Sequence, residues 1–508
     1  MNRPVPVAQD LSRARYDLEH FLLGGEFELF EDSRPVGSIQ PDSCLAEVSF
    51  NKLILTCFAE DWSRSWRIVS YELTPACLTL ECTRQMGLAR SLVELRRGEQ
   101  QAQTELSRTA FAAELGPLIE ANLPGVRVVK SVSARDDHEH LSGIHARLLL
   151  RDRSGTIAGI GACNAEQQTH IDGVLGAGLV WQDALRRRGE RARRLMIFVP
   201  RGRATTIATR MTALAEGVAL SLYEVDEVNR TIEPVSAFDQ GDLADRLRKA
   251  AIRAVWPHDF QLTESLEGLV ESVIALDRNA VEANHRGNWI VLSIRGLEFA
   301  RVSIRQERLY FGLGERHRRL DASSWDDIQR LVADIARRRV ADSSEVDDPV
   351  YRLQGERWLE SAIRRDIAAI DPTLDQRFVY SQVPTYRGEQ RTFIDLLTVS
   401  RNGRLAVLEL KVAEDREFPF QALDYWLRVE WHRKRGDFQK RGCFRGITIA
   451  DQEPLLFLVA PLFRFHSTSK LLCSLISERV PMFRIGINDD WRREIRVLLR
   501  QSLNRGHS

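Results

Sequence analysis

Residues 404–412, Arg-Leu-Ala-Val-Leu-Glu-Leu-Lys-Val, restrict this chain more than any other stretch. Apolar residues occupy both faces: Ala406, Leu408, Leu410 and Val412 on one, Leu405 and Val407 on the other. A strand apolar on both faces is central in its sheet. Glu409 and Lys411 stand two apart and so share one face. Charges in the middle of a buried strand are costly unless they are paired or bind a metal. Asp395 lies one hairpin away, across Arg401-Asn402-Gly403, and Asn-Gly between apolar runs signals a hairpin. Three charged groups thus converge on one spot of an apolar sheet. Past a short charged loop, Gln421 and Tyr425 stand four apart, on one face of the next helix.

Two carboxylates on neighbouring strands make an oxygen site for a hard cation such as Mg²⁺, which keeps several waters and also takes substrate phosphate. A metal there makes a water more acidic and offsets phosphodiester charge. A lysine beside it orients the water and offsets the charge that develops in the transition state.

The order Asp, Glu-x-Lys, Gln-x-x-x-Tyr resembles the PD-(D/E)xK nuclease superfamily, and the last element is similar to its RecB-like branch. The resemblance covers about 352–490. Members often carry an active-site glutamate on the first helix in a Trp-Leu-Glu context. Here Trp358-Leu359-Glu360 fits, in a helix expected over 355–370, with Glu356 as the second choice. The resemblance implies a catalytic set of Asp395, Glu409, Lys411, Glu360, Gln421 and Tyr425. It implies that Asp395, Glu409 and Glu360 hold Mg²⁺ or Mn²⁺, and that the substrate is DNA, duplex or single-stranded.

An internal repeat enlarges the fold expectation. Gly143–Cys163 laid on 391–411, with Gly155 on Gly403, superposes two strands and their hairpin without a gap. The first half then reads helix 108–122, strand 126–132, hairpin, helix 170–188, strand 195–200, helix 204–216, strand 219–225. The second reads helix 355–370, strand 377–383, hairpin 392–412, helix 419–433, strand 455–460, helix 468–478, strand 482–487. This αβββαβαβ order is that of a restriction-endonuclease-like core. A front part also repeats: Ala46–Phe50 with Leu53–Phe58, against Ala300–Ile304 with Leu309–Leu313. The chain is therefore expected to be a tandem duplication of a β-rich and a nuclease-like module, its first copy degenerate. The modules are placed at 1–103, 104–228, 229–348 and 349–508. In the gapless alignment Arg147, Gly161 and Cys163 stand where Asp395, Glu409 and Lys411 stand, so the first copy is expected to hold no hard metal. His145 and His170 do not have the pattern of a replacement metal site and read as satisfied surface histidines.

A length of 508 residues suits several domains, and 44% hydrophobic with 28% charged residues is ordinary for a soluble protein. The seven cysteines lack metal-type spacing and read as reduced thiols, which suits the cytoplasm. No signal-type run follows the N-terminus and no membrane-length apolar stretch occurs. Net charge is only +1, so DNA contact has to come from local runs. Arg433, Lys434, Arg435, Lys440 and Arg441, after the Gln-x-x-x-Tyr helix, are the expected contacts, with Arg186 to Arg203 as a clamp in the first half.

The expected function is a metal-dependent deoxyribonuclease, endonucleolytic, with a pseudonuclease half used for binding. One complete centre nicks one strand, and concerted cutting of two strands would take two chains, as in a homodimer. Other readings of the same residues are an RNase, or a scaffold or defence-complex subunit whose site a partner or ligand activates.

Overall fold

The computed structural model describes residues 5–22, 26–40, 43–49, 52–58, 63–74, 76–84, 89–132, 144–236, 263–286, 288–314, 317–343, 348–387 and 390–503. Leu243, Ala244 and Leu247, whose spacing in the sequence is helical, lie outside the described residues. The protein is mixed α/β, and its chain divides into two compact units: 1–208 with 218–236, and 209–217 with 237–508.

The first unit begins with an antiparallel sheet of eight strands between Val5 and Arg97. Alternate residues such as Leu53, Leu55, Trp66, Ile68, Leu78, Leu80, Val93 and Leu95 turn to one face and bury Leu18 and Phe21 of the helix Leu11–Leu22. The period of two is what a sheet covered on one face requires. Next comes α1 (Glu99–Asn122) and a six-stranded sheet. Its strands are β1 (Arg127–Val132), β2 (Ala146–Asp152), β3 (Gly155–Gly161), β4 (Arg194–Pro200), β5 (Leu220–Asp226) and β6 (Thr231–Val235). Helix α2 (Val174–Arg187) joins β3 to β4, and α3 (Thr205–Met211) precedes β5.

The second unit begins with five antiparallel strands between Val281 and Arg319, flanked by helices Glu264–Ile274 and Trp325–Arg338. The front parts of the two halves thus differ. Cys44–Ser49 is an edge strand of eight, whereas Leu297–Ser303, expected as its counterpart, is an interior strand of five. The rest of the unit is α4 (Gly355–Arg365), β7 (Tyr380–Arg387), β8 (Gln390–Val399), β9 (Leu405–Leu410), α5 (Phe418–Lys434), β10 (Leu455–Pro461), α6 (Ser469–Ser474), β11 (Met482–Ile487) and β12 (Val497–Ser502).

The two six-stranded sheets share one topology. Three antiparallel strands lead into two parallel ones, and an antiparallel sixth strand closes the edge. The sixth strands were not anticipated. Val497–Ser502 alternates half-buried with exposed residues, and Thr231–Val235 contains Pro234, which suits an edge. Both are weak patterns beside the all-buried run of β9.

The pairing register corrects the gapless alignment. Ala162 N–H donates to Phe198 O (3.0 Å), two residues before Pro200; Lys411 N–H donates to Val459 O (3.0 Å), two before Pro461. Ala162, not Cys163, therefore stands at the place of Lys411. Ile160, not Gly161, stands at that of Glu409, because Ile160 pairs with Ile197 and Glu409 with Leu458. The cause is one extra residue in the second turn. Asp152 and Gly155 enclose two residues, whereas Ser400 and Arg404, bonded N–H to O at 2.7 Å, enclose three. A slip of one residue turns a side chain to the opposite face. Gly403, at φ +86°, is held closely as well: a Cβ there would lie 2.0 Å from Thr448 O.

Beside the first sheet, Glu166 is fully enclosed. Its carboxylate accepts from Arg108 Nη2 (2.9 Å) and Nε, and pairs with His170 Nδ1 (2.9 Å). His170 is thus satisfied, as expected, whereas His145, also read as a surface histidine, is buried with Nε2 2.8 Å from His170 O. Burial alone would raise the Glu166 pKa, but Arg108 and His170 outweigh it and hold the group at about 2, down from 4.5. A depressed carboxyl pKa adds stability that is complete above the ordinary value and lost as pH falls toward the folded one. Glu166→Gln is thus expected to flatten the acid limb of the urea-unfolding profile between about pH 4.5 and about 2. An unchanged limb would assign acid sensitivity elsewhere.

Candidate active site

Alternation along β9 decides which of its residues meet which helix. Ala406, Leu408 and Leu410 join Trp358, Leu359 and Ile363 of α4 in one core. Glu409 and Lys411 have the other parity, and the β8–β9 register, continued one step, sets Asp395 opposite Glu409. Asp395 Oδ2 accepts the Leu410 N–H (2.9 Å). Glu409 is 1% exposed, and its Oε2 is buried with no hydrogen-bond partner among the described residues.

The electrostatics follow from this crowding. Burial raises the Glu409 carboxyl well above the carboxylate range; Asp395 raises it further, and Lys411 opposes. Burial raises Asp395 too, against Lys411, the Leu410 N–H and Arg357. Burial would lower Lys411, but Glu356, Glu409, Asp415 and Asp395 together raise it, so it stays a cation. Its Nζ lies 3.5 Å from Glu356 and 3.7 Å from Asp415. Glu356, the second choice from sequence, is therefore the first-helix carboxylate that faces the lysine.

Glu360 is held differently. It pairs with Arg357 (3.1 Å) and accepts from Gln382 Nε2, which also donates to Asp395 Oδ1 (3.2 Å). Among the described residues, no three His, Cys, Asp or Glu side chains are grouped to hold a metal ion. The arrangement is a carboxylate pair, Asp395 and Glu409, with Glu360 joined to it through an amide. Sequence reasoning missed Gln382. It sits on β7, 5% exposed, at φ +50°, where the β7–β8 ladder skips a pair opposite Asp395. A left-handed non-glycine residue inside a strand is strained, and nothing in the local sequence announces it.

Gln421 and Tyr425 lie on α5, with Gln421 Nε2 donating to Tyr425 OH (3.3 Å). Burial raises the Tyr425 phenol, and the Glu409 charge raises it further, so this helix face belongs to the same cluster. In the first sheet the corresponding ground is filled. A Cβ on Gly178 of α2 would lie 2.8 Å from Ile160, and Arg147, 2% exposed, lies 5.6 Å from the Trp181 ring.

The basic run that starts in the last turn of α5 is largely engaged within the protein. Arg433, expected to meet DNA, pairs with Glu430 (2.6 Å) and Asp451 (2.6 Å), and its side chain is 7% exposed. Lys434 shares Glu430 (3.2 Å), Arg435 lies over Trp431 and near Asp437, and Lys440 caps Arg435 O. Arg441 is exposed. In the first half Arg187 pairs with Asp183, Arg194 with Asp152 and Arg201 with Asp226. No described helix is long and apolar enough to cross a membrane.

No family model matches the chain. No curated protein matches it either. Among solved structures it is similar to a chain from "Structure of EndoMS-dsDNA2 complex", at 12% identity over 46% of this chain and 98% of that one, with a TM-score of 0.16. So loose a superposition bears on neither fold nor chemistry.

Proposed function

We propose that the chain is a divalent-metal-dependent nuclease acting on DNA, with its catalytic centre in the second unit. The observation that carries this reading is the buried Asp395–Glu409 pair. Two raised carboxyls stand side by side on neighbouring strands, β8 and β9, and among the described residues Glu409 Oε2 is buried with no hydrogen-bond partner. An all-oxygen donor set with two carboxylates fits a hard cation such as Mg²⁺ or Mn²⁺ that takes its remaining ligands from water and phosphate. Asp395 and Glu409 would hold it, with Glu360 placed through Gln382. When bound, the ion supplies charge for the phosphodiester and a more acidic water. Lys411, kept cationic by its four acidic neighbours, orients the attacking water and offsets charge on the phosphate. Gln421 and Tyr425 orient the substrate from α5.

The shared topology supports reading the two six-stranded sheets as copies of one module. The first has Arg147, Ile160 and Ala162 where the second has Asp395, Glu409 and Lys411, so it is a pseudonuclease. Lys434, Arg435, Lys440 and Arg441 are all exposed and remain DNA contacts of the proposal, whereas Arg433 is engaged inside the protein.

Purified protein incubated with supercoiled, linear and single-stranded DNA, and with RNA, with and without Mg²⁺, tests the proposal. Mg²⁺-dependent DNA cleavage, with nicked circles before linear product, is expected. Cleavage unaffected by a chelator would exclude the metal reading, and cleavage of RNA alone would exclude the substrate.

A further inference from the structure

The second unit includes a short piece of chain from the first half, residues 209–217. One of its side chains, Arg210, is wholly buried. Its guanidinium forks onto Asp424: Nε to Oδ1 (2.9 Å) and Nη2 to Oδ2 (2.8 Å). Nη1 reaches Glu417 Oε2 (3.3 Å), and the group lies 5.4 Å from the Phe420 ring. The backbone on the same piece is anchored as well. Ala215 N–H donates to Leu475 O (2.9 Å), Ser477 N–H donates to Ala213 O (2.8 Å), and Arg479 donates to Thr212 O.

Both acids gripped by Arg210 stand at the start of α5. Glu417 precedes the helix and Asp424 is two turns in. Gln421 lies between them, and Tyr425 follows Asp424. A bidentate arginine–carboxylate pair fixes orientation as well as distance. We infer that Arg210 is a positioning residue for the active site. It sets the rotation of the first half of α5, and through it the placement of Gln421 and Tyr425. This rests on the nuclease reading above. It makes the site dependent on a residue far away in sequence, contributed by the half of the chain that lacks catalytic residues.

The test uses the full-length chain with Arg210→Gln, Asp424→Asn and the double variant. Arg210→Gln takes the fork from the buried Asp424 carboxylate and Asp424→Asn leaves Arg210 its contact with Glu417, whereas the double change removes both charges of the fork together. Each single variant is expected to raise amide hydrogen exchange over residues 418–434 and to lower kcat by about a hundredfold, since a buried pair broken on one side is costly. KM for DNA should change little. The double variant is expected to recover most of both. Single variants with wild-type exchange and kcat would overturn the inference. So would a double variant as impaired as the singles, or a loss confined to KM. If the wild-type chain cuts no nucleic acid, the nuclease reading fails, while the exchange data still decide whether Arg210 holds the helix.

Discussion

Asp395→Ala and Lys411→Ala proteins are expected to lose Mg²⁺-dependent cleavage by more than about a hundredfold, a loss seen even when only the partner of a metal ligand is removed. Both should stay folded and still bind DNA, because phosphate contacts act in the ground state and these residues in the transition state. Glu409→Gln provides a second measurement on the same site. A carboxyl whose folded pKa is raised costs no stability below its ordinary value, and an increasing amount as pH rises toward the folded value. Without divalent metal, Glu409→Gln should therefore raise the urea midpoint, by more at pH 8 than at pH 5, while abolishing cleavage. Destabilisation at pH 8 without metal would show Glu409 to be a structural residue. Wild-type cleavage by the Asp395 and Lys411 variants would reject the site.

Arg339→Met is expected to destabilise the second unit by about 3–5 kcal/mol, because several buried carbonyls lose their donor together. The side chain is wholly buried and donates to Val350 O (2.8 Å), Leu353 O (2.6 Å), Arg295 O (3.1 and 3.2 Å) and Gln354 O (3.3 Å). It also lies 4.5 Å from the Trp358 ring. These bonds hold the turn at Gln354, φ +48°, from which α4 starts toward Glu356 and Glu360. Arg339→Lys should rescue little, since one ammonium cannot span these acceptors. Equilibrium urea unfolding measures the loss. A shift below about 1 kcal/mol, the size of one ordinary hydrogen bond, would show that the carbonyls find other donors.

The legible parts of the chain were those with strong local patterns. The all-buried β9 with Glu409 inside it, the Asn402-Gly403 turn and the parallel strand ending at Pro461 could each be read from neighbouring residues. So could the parity that puts Asp395, Glu409 and Lys411 together. Gln382, Arg339 and Arg210 were not legible, because each acts through partners distant in sequence. The Gly161 and Cys163 assignments failed for a related reason. A single added turn residue is invisible in two apolar strands until pairing with the next strand fixes the register. The basic run misled at Arg433 because its compensating acids, Glu430 and Asp451, lie on both sides of it.

The strained backbone at Gln382 bears on how such a site is lost. In the first sheet the position facing Arg147 is Val132, whose backbone is not left-handed and which pairs normally in the ladder. In the second, the strand gives up that pair so that an amide can reach two carboxylates. Under the proposed duplication, a copy freed from catalysis gains by straightening this strand and filling the hollow with Ile160 and its neighbours. Each step stabilises the sheet, and each makes return harder, since regaining the acids would also require bending the strand again and emptying a packed core. Decay of the spare centre therefore runs downhill in folding free energy and becomes effectively one-way.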